Sequence, residues 1–339
     1  MRNLFKILKG LAAATLRRTG MMSLLIDLKL RNRVSVLMYH RIVNDAQLPT
    51  TDSSPGIIVS DTAFEFQMRT LRQHFNPISI DEFEEHLTRK MPIPPRSCLV
   101  TIDDGWIDNY EFAFPILKKY KIPAVIFVPT DYISAGNLFW QEELLMRLTW
   151  LLRSGDEAQI GVLAEVLQLD KSPGLIDIED IRNYVIRLKS SDYSYIGQHL
   201  ERLRADLHPF GEFEHYNRYM TWEQVTEMSE AGISFASHAM SHRILCRLSD
   251  ADCSRELTES RRVIEDKLGK DVHTITYPNG NHDQRVMKLA RDAGYTIGFG
   301  TQNGLCRGNA DPLSVPRMNV HGNNSRTESL FMSTCINLF

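Results

Sequence analysis

The chain has 339 residues, 43% of them hydrophobic and 24% charged, with a formal net charge of −3. That composition belongs to a globular protein rather than a disordered or fibrous one, and the charge predicts no nucleic-acid partner. The five cysteines (Cys98, Cys246, Cys253, Cys306, Cys335) are odd in number and form no Cys-x-x-Cys, so they support neither a zinc ribbon nor a disulfide framework.

Residues 1–26 hold Arg2, Lys6, Lys9, Arg17 and Arg18 and no acid. Leu4, Phe5, Ile7, Leu8 and Leu11 supply an apolar helical face, so we read residues 1–30 as a basic N-terminal helix. The Leu11–Leu16 run is too short to span a bilayer, and no long apolar core precedes a small-residue cleavage site. Two readings stand: an amphipathic helix lying peripherally on an anionic membrane, or a helix packed on the domain. The absence of a signal-peptide pattern predicts a cytoplasmic location, on the inner face of the membrane in the first reading.

Val34–His40 is the first strand, followed by a polar loop over Asn44–Pro55. Ser60 or Asp61 caps a helix carrying Phe64, Phe66, Met68 and Leu71, and a second helix covers Ile80–Thr88. Met91-Pro92-Ile93-Pro94-Pro95 is a stiff connector into the apolar run Leu99–Ile102. A helix through Phe114–Leu117 leads to the strand Ala124–Val128. Further strands fall at Ile233–Ala236, Thr274–Tyr277, Tyr295–Phe299 and Ser314–Val320. Helices over Thr221-Trp222-Glu223-Gln224 onward, Arg255–Leu268 and Asp283–Ala293 separate most of them. This alternation predicts an α/β fold, a parallel barrel of seven short strands. Residues 136–219 interrupt it with helical stretches at Glu142–Arg153, Glu157–Leu169 and Ile178–Leu207 and no strand.

Polar chemistry collects just after the strands. Asp103-Asp104-Gly105 follows the second long strand, and His40, His238, Pro278-Asn279-Gly280 and His321 follow others. That is where a β/α barrel carries its active site. Two adjacent buried carboxylates repel each other and call for a positive partner, although Asp-Asp-Gly is also an ordinary turn sequence. His238 and His242 are four apart, which puts them on one face of a helical turn, able to share a metal ion. One carboxylate with two imidazoles leaves open positions for water and substrate.

Thr101-Ile102-Asp103-Asp104-Gly105 and Ser237-His238-Ala239-Met240-Ser241-His242 resemble the first two motifs of the polysaccharide deacetylases, the NodB-homology group of carbohydrate esterase family 4-like enzymes. The similarity continues through Asn109-Tyr110, Pro115-Ile116-Leu117, Ile122–Val128, Thr221–Gln224 and Tyr277-Pro278-Asn279-Gly280, in the family's order. The resemblance implies a distorted seven-stranded (β/α) barrel, here built from 31–135 and 220–339, with 136–219 as a helical insertion. That insertion either shapes the substrate groove or serves as a stabilising appendage. The resemblance implies that Asp104, His238 and His242 hold a divalent metal, zinc first, with cobalt, nickel or manganese as alternatives. It makes Asp103 the general base.

The general acid is open between His321, in Met318-Asn319-Val320-His321, and His40. The third motif lacks the arginine that pairs with the base in many relatives, and Arg317 on the last strand is the available substitute. Trp106 is placed to stack on sugar, a backbone N–H beside Tyr277 to stabilise an oxyanion, and Asn279 to touch substrate. No Gly-x-Ser-x-Gly elbow and no complete dinucleotide fingerprint occur. The reading is a metal-dependent hydrolase that removes N-acetyl groups from amino sugars of a cell-surface polysaccharide or its precursor. Its alternatives are an O-acetyl esterase of the same fold and a non-catalytic carbohydrate-binding relative.

Overall fold

Buried on both faces, the strands of a parallel sheet read as continuous apolar runs, and the chain supplies them. The computed structural model describes residues 2–49, 51–154, 157–206 and 218–339. Its strands are β1 (Arg33–Tyr39), β2 (Arg41–Val43), β3 (Ile58–Ser60), β4 (Asn76–Pro77), β5 (Ser97–Ile102) and β6 (Ala124–Val128). They continue as β7 (Ser234–Ser237), β8 (Thr274–Thr276), β9 (Ile297–Phe299), β10 (Cys306–Arg307) and β11 (Met318–Asn319). Each of the seven strands expected from sequence is present: Ala124–Val128 keeps its bounds, β1 and β7 shift by one residue, β5 starts earlier at Ser97, and β8, β9 and β11 are shorter than expected.

The main sheet runs β10-β1-β5-β6-β7-β8-β9, all neighbours parallel except the antiparallel β10–β1 pair. β5 and β6 are buried at every position. The segment leading into β11 curls the sheet toward closure. Val315 bridges to Phe299 of β9, and Met318 pairs with Leu37 of β1. Regular pairing over the expected Ser314–Val320 strand is short because Pro316 has no N–H to give the ladder.

Helix starts follow local capping chemistry. Ser60 caps Asp61–His74, while Ser79 and Thr221 form capping boxes before Ile80–Arg89 and Trp222–Glu230. A π-helical turn, Asn109–Ala113, runs directly into helix Phe114–Tyr120, with Pro115 in its first turn. The N-terminal segment is two helices rather than one, Arg2–Arg18 and Met21–Lys29, parted by Gly20 at φ 76°. Glycine adopts that left-handed conformation without the penalty other residues pay.

The chain divides into two compact units. One comprises Met1–Leu48, Pro55–Gly136 and Arg218–Phe339; the other comprises Pro49–Ser54 and Asn137–Asn217. The second is helical, with helices Trp140–Ser154, Glu157–Leu167, Ile178–Leu188 and Tyr193–Asp206. Its own core includes Leu144, Leu148, Leu163, Ile181, Ile196 and Leu200. The single helix expected over Ile178–Leu207 is broken between Leu188 and Tyr193. Ser190 bonds back to the Arg187 carbonyl and Asp192 accepts from the Ser194 N–H, so local side chains end one helix and open the next. No helix among the described residues is long and apolar enough to cross a membrane.

Candidate active site

β5 delivers the paired acids. The Asp103 N–H still donates to the Tyr39 carbonyl of β1, extending the ladder by one residue. The chain then reverses through Asp104 at φ 77° and Gly105 at φ 71°. A Cβ on Gly105 would meet Val128 Cγ1 at 3.0 Å, so this turn needs glycine for space as well as for conformation. A left-handed aspartate is an unfavourable conformation of the kind found at functional sites. Here it turns Asp104 towards the end of β7.

Asp104 Oδ1 lies 3.4 Å from His238 Nε2 and 3.5 Å from His242 Nε2. The three ligand atoms fall within 4.8 Å of one another, and Asp104 and His238 are buried. The histidines do not sit on a helical turn. After β7 the chain passes through Ala239 at φ 61° and reaches His242 at φ 56°, so a loop brings the rings together. Glu256 pins that loop. Its carboxylate accepts from the backbone N–H groups of Met240 and Ser241, at 2.8 and 2.9 Å, and from the Ser241 hydroxyl.

The donor set fits a divalent cation. Tetrahedral bonds of 2.0–2.2 Å place neighbouring ligand atoms about 3.4 Å apart, too far for direct hydrogen bonds and close to the spacing found. His238 Nδ1 is 2.8 Å from the Thr276 carbonyl oxygen and 2.6 Å from the Thr276 hydroxyl; the tautomer that donates from Nδ1 to the carbonyl leaves the Nε2 lone pair aimed at the cluster. Burial pushes the Asp104 carboxyl up, but His238, with the charges of His40 and His242, outweighs it and holds the group far below the usual carboxylate range.

Asp103 faces a different partner. Arg317 Nη1 and Nη2 donate to its Oδ1 and Oδ2 at 2.8 and 2.7 Å, while Arg317 Nε donates to the Gly300 carbonyl at 2.8 Å. The arginine that seemed missing from the third motif therefore comes from the segment that curls the sheet toward closure. Burial raises the Asp103 carboxyl, and the charge and hydrogen bonds of Arg317 overcome it, so the group stays ionised below its ordinary range.

His40, just past β1, places Nε2 3.9 Å from Asp103 Oδ2. Burial lowers its imidazole, only partly offset by Asp104 and Asp103, and its buried Nδ1 has no hydrogen-bond partner. His321 stands elsewhere. Its Nδ1 accepts from the Asn323 N–H, and it lines a depression with Phe5, Lys9 and Asn324.

Two expected substrate contacts, those of Trp106 and Tyr277, need correction. Trp106 is 1% exposed and cannot stack on sugar in this conformation. Its ring packs against Tyr219 at 4.6 Å and under the Arg41 guanidinium at 4.3 Å, and its Nε1 donates to Asp104 Oδ2 at 3.2 Å. It orients the Asp104 carboxylate. Tyr277 is also buried, and its N–H already donates to the Phe299 carbonyl at 3.1 Å, so it cannot serve an oxyanion; its hydroxyl donates to the Leu313 carbonyl. Asn279 stays exposed, and its Nδ2 donates to Asn281 Oδ1. His208 and His215, two of the histidines without a metal-like partner at short spacing, lie outside the described residues.

Sequence reasoning missed Glu256 and the buried pair Arg41–Asp108 at 2.8 Å, which braces the Trp106 ring from behind. Nothing in their spacing marks either one. The polysaccharide deacetylase profile matches residues 90–156 and 192–298, more than half of the chain. The chain belongs to the polysaccharide deacetylase family. The curated protein YxkH of Bacillus subtilis is 22% identical over 289 residues, 85% of this chain and 71% of that one. The poly-beta-1,6-N-acetyl-D-glucosamine N-deacetylase of Staphylococcus epidermidis is 32% identical over 115 residues, 32% of this chain and 39% of that one.

Among solved structures, the Streptococcus pyogenes deacetylase PplD in complex with acetate aligns with a TM-score of 0.59 at 20% identity, covering 89% of this chain and 97% of that one. IcaB from Ammonifex degensii aligns at 0.57 and 18% identity, with the same coverages. These likenesses establish the curled seven-stranded α/β sheet as this family's fold.

Proposed function

We propose that this chain hydrolyses N-acetyl groups of amino sugars in a cell-surface polysaccharide or its precursor, releasing acetate and a free amine. The observation that carries this reading is the juxtaposition of two buried carboxylates with separate tasks. Asp103 is locked to Arg317, and Asp104 is turned to His238 and His242. The name of the staphylococcal relative makes poly-β-1,6-N-acetylglucosamine the first substrate to try.

Asp104, His238 and His242 would hold a divalent cation, zinc in our reading. Such an ion supplies Lewis acidity towards an amide carbonyl and acidifies water. Asp103, ionised and fixed by Arg317, accepts the proton of the attacking water as general base. The Arg317 fork leaves the Asp103 carboxylate no freedom to swing towards the histidines, which preserves the division of labour between the two acids. His40, within 4 Å of the same carboxylate, is positioned to take on the proton that Asp103 accepts from the water and hand it to the departing nitrogen. Without that proton the amine leaves as an unstable anion. The His40 Nδ1, buried and unpartnered, is available to the substrate or to water.

The test is acetate release from a panel of N-acetyl and O-acetyl glycans by wild type, Asp103→Asn and His238→Ala, with zinc or cobalt added and after chelation. Release from N-acetyl glycans alone, lost in both variants and on chelation, is the expected result. Undiminished release by Asp103→Asn would overturn the mechanism. Release confined to O-acetyl esters would overturn the bond assignment.

A further inference from the structure

Residues 1–33 carry eight Lys and Arg against the single Asp27, in a chain whose net charge is −3. Within this stretch, helices Arg2–Arg18 and Met21–Lys29 turn apolar side chains outward. On helix Arg2–Arg18, Ala13 is fully buried, whereas Phe5, Ile7, Leu8 and Leu11 are 54 to 61% exposed. At about 100° per residue these four span one side of the helix, with Phe5 and Ile7 at its edges also bordering the depression that His321 lines. The opposite side is the docked one, where Arg17 pairs with Glu328 at 2.7 Å and the Lys9 ammonium lies over the Phe339 ring. Helix Met21–Lys29 buries Met22 and Ile26 and exposes Met21, Leu24 and Leu28, a second outward stripe. Contiguous exposed apolar surface with a basic rim marks an interaction site.

Charge identifies the occupant. The end of the second helix forms part of an open cavity of about 830 Å3 lined by Asp27, Arg31, Arg33, Arg96, Arg307 and His86. Asp27, the only acid among the lining residues, is neutralised by Arg96 through two hydrogen bonds of 2.5 and 2.6 Å. Arg31, Arg33 and Arg307 make no ion pair among the described residues. Arg33 and Arg307 are moreover direct cross-strand partners in the β1–β10 ladder, a pairing of like charges that destabilises a sheet unless an anion lies between them.

We propose that residues 1–33, with Arg307, dock the chain on a bilayer surface containing anionic phospholipid. The outward side chains of both helices enter the interface, and the arginine-lined cavity takes a phosphate-bearing headgroup. Peripheral helices combine buried apolar area with attraction to anionic lipid in this way. Phosphate suits the guanidinium fork.

The test is co-sedimentation of the full chain with phosphatidylcholine vesicles and with vesicles also containing phosphatidylglycerol. Binding is expected only to the second, weakening as salt is raised. Leu8→Glu/Leu11→Glu should abolish it. Arg31→Gln/Arg33→Gln should lower the partition coefficient about 25-fold, or about fivefold per basic residue removed. Circular dichroism and sedimentation velocity on both variants control for folding.

Equal binding to the two vesicle types would overturn the headgroup assignment. So would thermal stabilisation by soluble glycerol phosphate without vesicle binding, which would make the cavity a site for a free phosphate compound. A chain that binds neither vesicle, and instead forms dimers that Leu8→Glu/Leu11→Glu dissolves, would show that a second copy covers the apolar face and would overturn membrane docking.

Discussion

Arg317 grips both carboxylate oxygens of Asp103 across 214 residues of sequence. The pair is almost wholly buried, with side-chain exposures of 0 and 3%. A bidentate guanidinium fixes the carboxylate's plane as well as its charge, which a lysine cannot do.

Arg317→Met leaves the Asp103 charge buried and unpaired, a change that costs about 3–5 kcal/mol. Calorimetry of the unfolding transition should show that loss, together with a fall in kcat. Arg317→Lys should fall between the two, keeping the charge without the fork. Arg317→Met combined with Asp103→Asn removes both charges and should recover part of the stability while remaining inactive. A double variant no more stable than Arg317→Met would mean that the pair is not the source of the loss.

Glu256 is not one of the three clustered side chains, yet it holds the loop between His238 and His242 through three hydrogen bonds. Supporting residues of this kind typically set metal affinity by about 10–100-fold. Glu256→Ala should weaken zinc binding by that order in calorimetric titration, with the spectrum of the folded chain unchanged. Unaltered affinity would remove Glu256 from the site.

His40 Nε2 lies 3.9 Å from Asp103 Oδ2, whereas His321 lines the depression with Phe5 and Lys9. Loss of a positioned proton donor lowers turnover by about 10²–10⁴-fold. His40→Gln should show that drop in kcat on the N-acetyl glycan, while His321→Gln should stay within a fewfold of wild type. The opposite pattern would return the acid role to His321.

In the helical unit, burial raises the Glu143 carboxyl, but hydrogen bonds from Arg204 and Arg147, with their charges, leave it below the ordinary range. A depressed carboxyl adds stability at pH above its unfolded value of about 4.3. That contribution fades as pH falls through the lower folded value. Hydrogen exchange over helix Trp140–Ser154, corrected for intrinsic rates, should show wild type better protected than Glu143→Gln at neutral pH. The two should converge once pH has fallen through the depressed folded value, under the ordinary carboxylate range. A difference independent of pH would exclude this ion cluster as its origin.

Along one stretch of chain, alternation, capping and apolar runs are local properties, and they located the seven strands, most helices and the residues after each strand. The clustering of Asp104, His238 and His242 was legible for the same reason: each member belongs to a short motif at a strand end, and parallel strands in one barrel present those ends to one face. The insertion's helices were equally visible, apart from the break that Ser190 and Asp192 impose on one of them.

What the sequence left open depends on the way the sheet curls toward closure. The bridge of Val315 to β9, the Arg317 N–H bond to the Gln302 carbonyl and the pairing of Met318 to β1 carry Arg317 across the barrel mouth to Asp103. Spacing could not choose between His40 and His321, because the lateral positions of two histidines around a barrel are fixed by sheet curvature and not by their own neighbours. Trp106 follows the turn glycine and reads as a sugar platform. The fold instead closes Tyr219 and Arg41 around it, so its indole N–H serves Asp104. A side chain's type limits the bonds it can make, and its burial, a property of the whole packed barrel, selects among them.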